Sequence, residues 1–117
     1  MSLLSNHHEE HRPWGSFEQF TLNEPTTVKI LRVDAGKRFS LQKHEQRSEW
    51  WKVIEGDGIV QTNDRERHVA YGDVIESPVG TLHRLTGGNN GIAVLEIAFG
   101  NFDENDIIRT EDDFGRK

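Results

Sequence analysis

Ser40-Leu41-Gln42-Lys43-His44-Glu45-Gln46-Arg47-Ser48-Glu49 is the stretch on which the fold turns. In an extended chain, successive side chains point to opposite faces. Ser40, Gln42, His44 and Gln46 then share one face, and Phe39, Leu41 and Lys43 the other. A face that sets an imidazole between two carboxamides suits neither a dry core nor an ordinary solvated strand. It suits the inside of a barrel that holds an ion. Glu49 opens the next strand after a turn, from which it can swing back toward His44.

The same punctuation continues along the chain. Short apolar runs at 16–22, 26–33, 38–44, 49–55, 58–62, 67–70, 74–76, 82–86 and 92–99 read as strands. They are separated by turn residues, among them Gly56-Asp57-Gly58, Gly72-Asp73, Pro78-Val79-Gly80 and Gly87-Gly88-Asn89-Asn90-Gly91. Turn signals at such short intervals, with no run at a 3.6-residue period, predict an all-β sandwich or barrel. Residues 1–11, with His7, His8, Glu9, Glu10 and His11, show no periodicity and are expected to form a flexible arm. Residues 12–117 are expected to form one domain ending in an acidic segment from about 101 to 117. Within that segment, Asp106-Ile107-Ile108-Arg109 reads either as a short helix or as an extended tail over the barrel.

With 117 residues the chain has room for one core. Leu, Ile, Val and Phe make up 30 of them, enough to fold but thin. The formal charge of −6 offers no basic face, which argues against nucleic acid and against anionic membranes. No apolar run approaches the ~18 residues of a bilayer span, and the first residues lack a signal-peptide core. A cytoplasmic protein is expected. The chain has no Cys, so any metal must be held by His, carboxylate or amide ligands. His83, just past the Pro78-Val79-Gly80 turn, joins His44 and Glu49 as a candidate. Two imidazoles and one carboxylate suit a first-row divalent ion and leave positions open for substrate. A carboxamide oxygen of Gln42 or Gln46 would add a weaker ligand. The alternative is a set of buried polar groups that satisfy one another.

These segments resemble the two signature motifs of the cupin superfamily. Gly72, Pro78, Gly80 and His83 match the second, with Gly87 where the motif ends in Asn. His44, Glu49 and Gly56 match the first, with Gln46 at its second His. Leu41-Gln42, His44, Arg47 and Glu49, together with Arg12-Pro13-Trp14-Gly15, His83-Arg84-Leu85 and residues 106–116, resemble the isomerase domain of type II mannose-6-phosphate isomerases. The likeness covers residues 12–116. It implies a cupin-type double-stranded β-helix, or jelly-roll, barrel, often dimeric. It further implies one divalent metal ion, zinc first and Mn, Co, Ni or Fe as alternatives, held by Gln42, His44, Glu49 and His83. The implied reaction is the isomerisation of mannose 6-phosphate to fructose 6-phosphate, with a small sugar phosphate as the partner molecule. Nothing precedes a helix as a Gly-rich phosphate loop would, so nucleotidyl transfer is not expected.

A phosphorylated substrate calls for cations, and Arg is suited to bidentate contact with phosphate. Arg109, the one base among the six acids of residues 103–113, is expected to make the catalytic contact; its bland role is an ion pair with its neighbours. Arg47, at the cavity rim, and Arg12 are expected to bind the substrate; the alternatives are an outer-surface salt bridge for Arg47 and pinning of the N-terminal strand for Arg12. Trp50 and Trp51 fall on opposite faces of one strand, so at most one faces the cavity. Two competing functions remain: another metal-dependent cupin reaction such as a dioxygenase, and a sugar- or metabolite-binding module without catalysis.

Overall fold

The computed structural model describes residues 3–116; Met1 and Ser2 of the expected arm, and Lys117 of the expected domain, lie outside the described residues. Nine strands and no helix occur among those residues: β1 (His8–Arg12), β2 (Gly15–Gln19), β3 (Thr26–Val33), β4 (Leu41–Lys43), β5 (Arg47–Thr62), β6 (Arg65–Ala70), β7 (Val74–Ser77), β8 (His83–Gly100) and β9 (Ile108–Glu111). All their pairings are antiparallel. The fold is therefore all-β, as the turn spacing predicts. The Asp106–Arg109 alternatives resolve in favour of extended chain, because Ile108 opens β9, which pairs with β4.

Two long strands organise the molecule. β5 and β8 run side by side from Arg47 opposite Gly100 to Thr62 opposite His83. Register shifts at Val53/Glu55 and Gly56/Gly58 bend this ribbon in the middle. Below the bend, β5 is flanked by β7, and its β8 partner by β3. Above it, β5 is flanked by β6, and β8 by β4, which carries β9. One ribbon thus belongs to both layers of a sandwich. The breaks expected at Gly56-Asp57-Gly58 and at residues 87–91 are bends inside continuous strands. They sit where backbones press together: a Cβ on Gly56, whose φ is +73°, would lie 2.2 Å from the Gly91 carbonyl oxygen, and one on Gly58 would lie 2.1 Å from that of Thr86.

Between the layers lies a core of Trp51, Val53, Val60, Val69, Ile75, Leu85, Ile92 and Val94, all buried. Burying such a side chain contributes about 1.5–3 kcal/mol. Trp50 points the other way, as strand parity requires, and packs with Ile97 and Leu4 in a second cluster. That outer patch explains why the expected arm is not free. Leu4 is 4% exposed, and β1 pairs with β2 as a hairpin, so the boundary drawn after residue 11 falls inside a strand. Trp50 and Ile97 are cross-strand partners on an apolar face that needs cover, and the N-terminal residues supply it. His7 stacks on Phe20 and tilts against Trp50, each with ring centroids 5.6 Å apart. Lys52 Nζ donates to Glu18 Oε1 at 2.6 Å and ties the hairpin to β5. No helix among the described residues is long and apolar enough to cross a membrane.

Candidate metal centre

The two layers each place one member of a buried triad. Glu49 lies in the lower part of β5, between Ser77 of β7 and Ala98 of β8. His83 opens β8 in the upper layer, opposite Gln42 of β4. His44 follows β4 in the turn that leads into β5. His44 and Glu49 are each 2% exposed and His83 is 1% exposed, and one ligand atom from each lies within 4.8 Å of the others. Nε2 of His44 is 3.3 Å from Glu49 Oε2, and Nε2 of His83 is 3.4 Å from Glu49 Oε1.

The hydrogen-bond partners decide what faces the centre. His44 Nδ1 lies 2.7 Å from the Asp106 carbonyl oxygen, and His83 Nδ1 lies 3.0 Å from that of Thr81. A carbonyl only accepts, so each Nδ1 carries a proton and each Nε2 is turned inward; that of His44 faces Arg47 Nη2 at 3.2 Å, where it can only accept. Burial drives the His83 pKa down, against the pull of Glu49, and so favours its neutral form. Among the described residues no N–H donates to Glu49 Oε1 or His83 Nε2, and the Glu96 carboxyl hydrogen-bonds the Glu49 side chain. Two ring nitrogens and a carboxylate that face one another in a buried space make a cation-binding set, of which the Arg47 guanidinium engages two atoms, Glu49 Oε2 and His44 Nε2. Carbonyls that fix the outer ring nitrogens are the usual support of histidines that hold a metal. The residues present therefore fit a divalent ion.

Three further groups shape the site. Arg47, 7% exposed, is inside rather than at the rim, because its guanidinium neutralises the buried Glu49: Nε donates to Oε2 at 3.0 Å, and Nη2 lies 3.2 Å from His44 Nε2. Glu96 of β8, 4% exposed, accepts from Trp51 Nε1 at 3.2 Å. Burial, and then the charge of Glu49, push Glu96 up to about 7. The acidic stretch after β8 folds over the triad. Phe102 lies between two cations, with Lys29 Nζ 4.1 Å and the Arg47 guanidinium carbon 4.2 Å from its ring centre. The Asp106 carboxylate accepts from the amides of Glu45 and Gln46 at 2.9 Å each.

The structure thus brings His44, Glu49, His83 and Arg47 together. Gln42 stands beside His83 across the β4–β8 pair, and its carboxamide oxygen accepts from Ser40 Oγ at 2.7 Å. Gln46 is exposed and accepts from Asn101, because β4 ends at Lys43 and the alternation ends with it. Arg109 sits on β9 opposite Gln42, half-buried, its Nε without a partner among the described residues. Arg12 lies at the exposed end of the N-terminal hairpin, where its partners are Glu10 and the ring of Phe17. Trp51 faces the site, edge-on to His83 with ring centroids 5.4 Å apart. Gly87 replaces the motif's Asn for a visible reason: a Cβ there would lie 2.3 Å from the Asp34 carbonyl oxygen. Glu96 and Asp106 do not stand out as site residues in the sequence. The available signal for Glu96 was a lone acid in the apolar run 92–99; Asp106 had none, one acid among six.

A family model described as "Mannose-6-phosphate isomerase C-terminal" matches residues 1–112. The chain belongs to that family. Among curated relatives, the alginate biosynthesis protein AlgA of Pseudomonas aeruginosa is 34% identical over 117 residues, which cover 98% of this chain and 24% of that protein. The chain spans about a quarter of the length of the curated relatives it matches. Among solved structures, oxalate decarboxylase from Bacillus subtilis aligns with a TM-score of 0.68 at 22% identity, over 92% of this chain and 31% of that one. A conserved protein with a double-stranded β-helix domain from Klebsiella pneumoniae aligns with a TM-score of 0.65 at 18% identity, over 74% and 75% of the two chains. The fold of this mannose-6-phosphate isomerase C-terminal domain is therefore the double-stranded β-helix. Its motif residues His44, Glu49 and His83 are the ones that converge in space.

Proposed function

We propose that the chain is a metal-dependent sugar-phosphate isomerase that interconverts mannose 6-phosphate and fructose 6-phosphate. The observation that carries this reading is the pair of inward-facing imidazole nitrogens around Glu49, in a family member matched over residues 1–112. His44, Glu49 and His83 hold the metal, with Gln42 beside them as a weaker ligand, and zinc is the first choice for two nitrogens and a carboxylate. When bound, the ion supplies Lewis-acid polarisation of a substrate oxygen. The chain's own part is binding and orientation. Trp51 walls the site against water, and Arg109, with an unused donor next to Gln42, takes the substrate phosphate.

On this reading the ligand is a small sugar phosphate, and the working form is a cytoplasmic homodimer whose second copy covers Val28 and Ile30, which are 57% and 47% exposed on one face of β3. The test is a coupled assay on metal-replete protein. Turnover of mannose 6-phosphate is expected, with loss on chelation and in the His44→Ala/His83→Ala double variant, which also loses the metal by elemental analysis. Metal-replete protein that turns over no hexose phosphate, yet melts higher with one bound, would establish the binding-module alternative.

A further inference from the structure

We infer that Arg47 is a built-in competitor for the metal, a guanidinium that occupies half of the ligand set until a divalent cation displaces it. The inference rests on the metal reading of the triad given above. Four ligand atoms face the centre. Two of them, Glu49 Oε1 and His83 Nε2, receive no N–H among the described residues. The other two, Glu49 Oε2 and His44 Nε2, are engaged by Arg47 Nε and Nη2 at 3.0 and 3.2 Å. His44 gives its only neutral-state proton to the Asp106 carbonyl, so its Nε2 has a single lone pair to offer. That lone pair serves the guanidinium or a metal, not both. A permanent positive charge this close to a buried dication is also repelled by it, and strongly so where water does not screen.

Arg47 is held in that competing position from its other side as well. Its Nη1 donates to the Asp103 carbonyl at 3.1 Å, and its plane rests on Phe102, whose ring also carries Lys29. The same side chain therefore joins the ligand set to the acidic segment that covers it. Metal binding and the hold on that segment draw on one guanidinium, so each weakens the other, and such coupling is reciprocal. The consequence is an affinity set below what the triad alone would reach, and raised by anything that draws Arg47 away.

The experiment titrates Zn²⁺ into chelator-treated protein by calorimetry, for the wild type and for Arg47→Met, Arg47→Lys and Phe102→Ala. Methionine keeps an apolar stem against Phe102 and removes the charge. Arg47→Met is expected to bind zinc at least 10-fold more tightly than wild type. Phe102→Ala, which loosens the hold that keeps Arg47 on the ligand set, is expected to change the affinity in the same direction by a smaller factor. Arg47→Lys, which keeps a charge without the two-pronged grip, should fall between wild type and Arg47→Met. Circular dichroism identifies any variant that fails to fold; if Arg47→Met is one, Phe102→Ala and Arg47→Lys carry the test. Wild type that binds zinc while the folded variants bind it equally or less tightly overturns the competitor role and leaves the metal reading intact. If neither wild type nor a folded variant binds a divalent ion, the metal reading fails and the inference fails with it.

Discussion

His44 owes its orientation to one acid of the covering segment. Asp106 presents its carbonyl to His44 Nδ1, and its carboxylate receives the amides of Glu45 and Gln46. Those two amide bonds, the Glu45 one first, hold the Asp106 carboxyl below its ordinary range. One residue thus pins both ends of the turn that aims the imidazole. Asp106→Ala is expected to lose about 10-fold in metal affinity, the usual effect of removing an outer support of a ligand. Asp106→Asn, which keeps one acceptor, should lose less, and far-UV circular dichroism should not change in either. Zinc titration checks this, and the sign is informative: Asp106 and Phe102 lie on one segment, yet their truncation is expected to move the affinity in opposite directions. Wild-type affinity in Asp106→Ala would show that something other than this turn aims His44.

At the level of elements, the N-terminal hairpin is held by one ion pair beside an aromatic cluster. Burial alone would push Glu18 up, but Lys52, and then His7, more than offset it and hold its pKa below the ordinary value of 4.5. A carboxyl with a lowered folded-state pKa contributes stability above its unfolded value, and that contribution is lost as pH falls through the folded one. The hairpin should therefore loosen below about pH 4.5 while the sandwich core holds. Glu18→Gln should show the loosening already at neutral pH, by about 1 kcal/mol for a partly exposed pair. Hydrogen exchange resolved over β1 and β2 reads this; protection there that ignores both pH and the variant would rule out the pair as the tether. This element also shows why part of the fold escaped the sequence. His8-Glu9-Glu10-His11 has no apolar alternation, and its pairing exists because Trp50 and Ile97, far along the chain, expose a face that Leu4 and Phe20 cover. The Gln42–His44 parity and the Pro78-Val79-Gly80 turn are readable because period-two alternation and turn chemistry are local. Glu96 is not, since its raised pKa comes from burial and then from Glu49, which lies 47 residues away and becomes a neighbour only through the β5–β8 pairing.

For the whole molecule, the bent β5–β8 ribbon is what makes one site out of two layers, because it delivers Glu49 below the bend and His83 above it. The sequence marks that bend with glycines, yet glycine ends a strand as readily as it bends one. Only the opposing backbone decides, and here it lies too close for any side chain. Gly58 is the clearest case: the added carbon of alanine would meet the Thr86 carbonyl oxygen at 2.1 Å, a backbone atom with no freedom to rotate aside. Gly58→Ala is therefore expected to destabilise the fold by roughly 3 kcal/mol or more, as overpacking does in a closed core. Gly72, with a φ of +89° and nothing within 4 Å of a built Cβ, is the control. Alanine there should cost only the strain of a left-handed backbone, about 1 kcal/mol. Urea denaturation of the two variants measures both values. Because the bend sets the distance between Glu49 and His83, Gly58→Ala should also weaken zinc binding, whereas Gly72→Ala should leave it unchanged. Equal costs in the two variants, or intact zinc affinity in folded Gly58→Ala, would show that the layers hold their spacing without the ribbon's close approach.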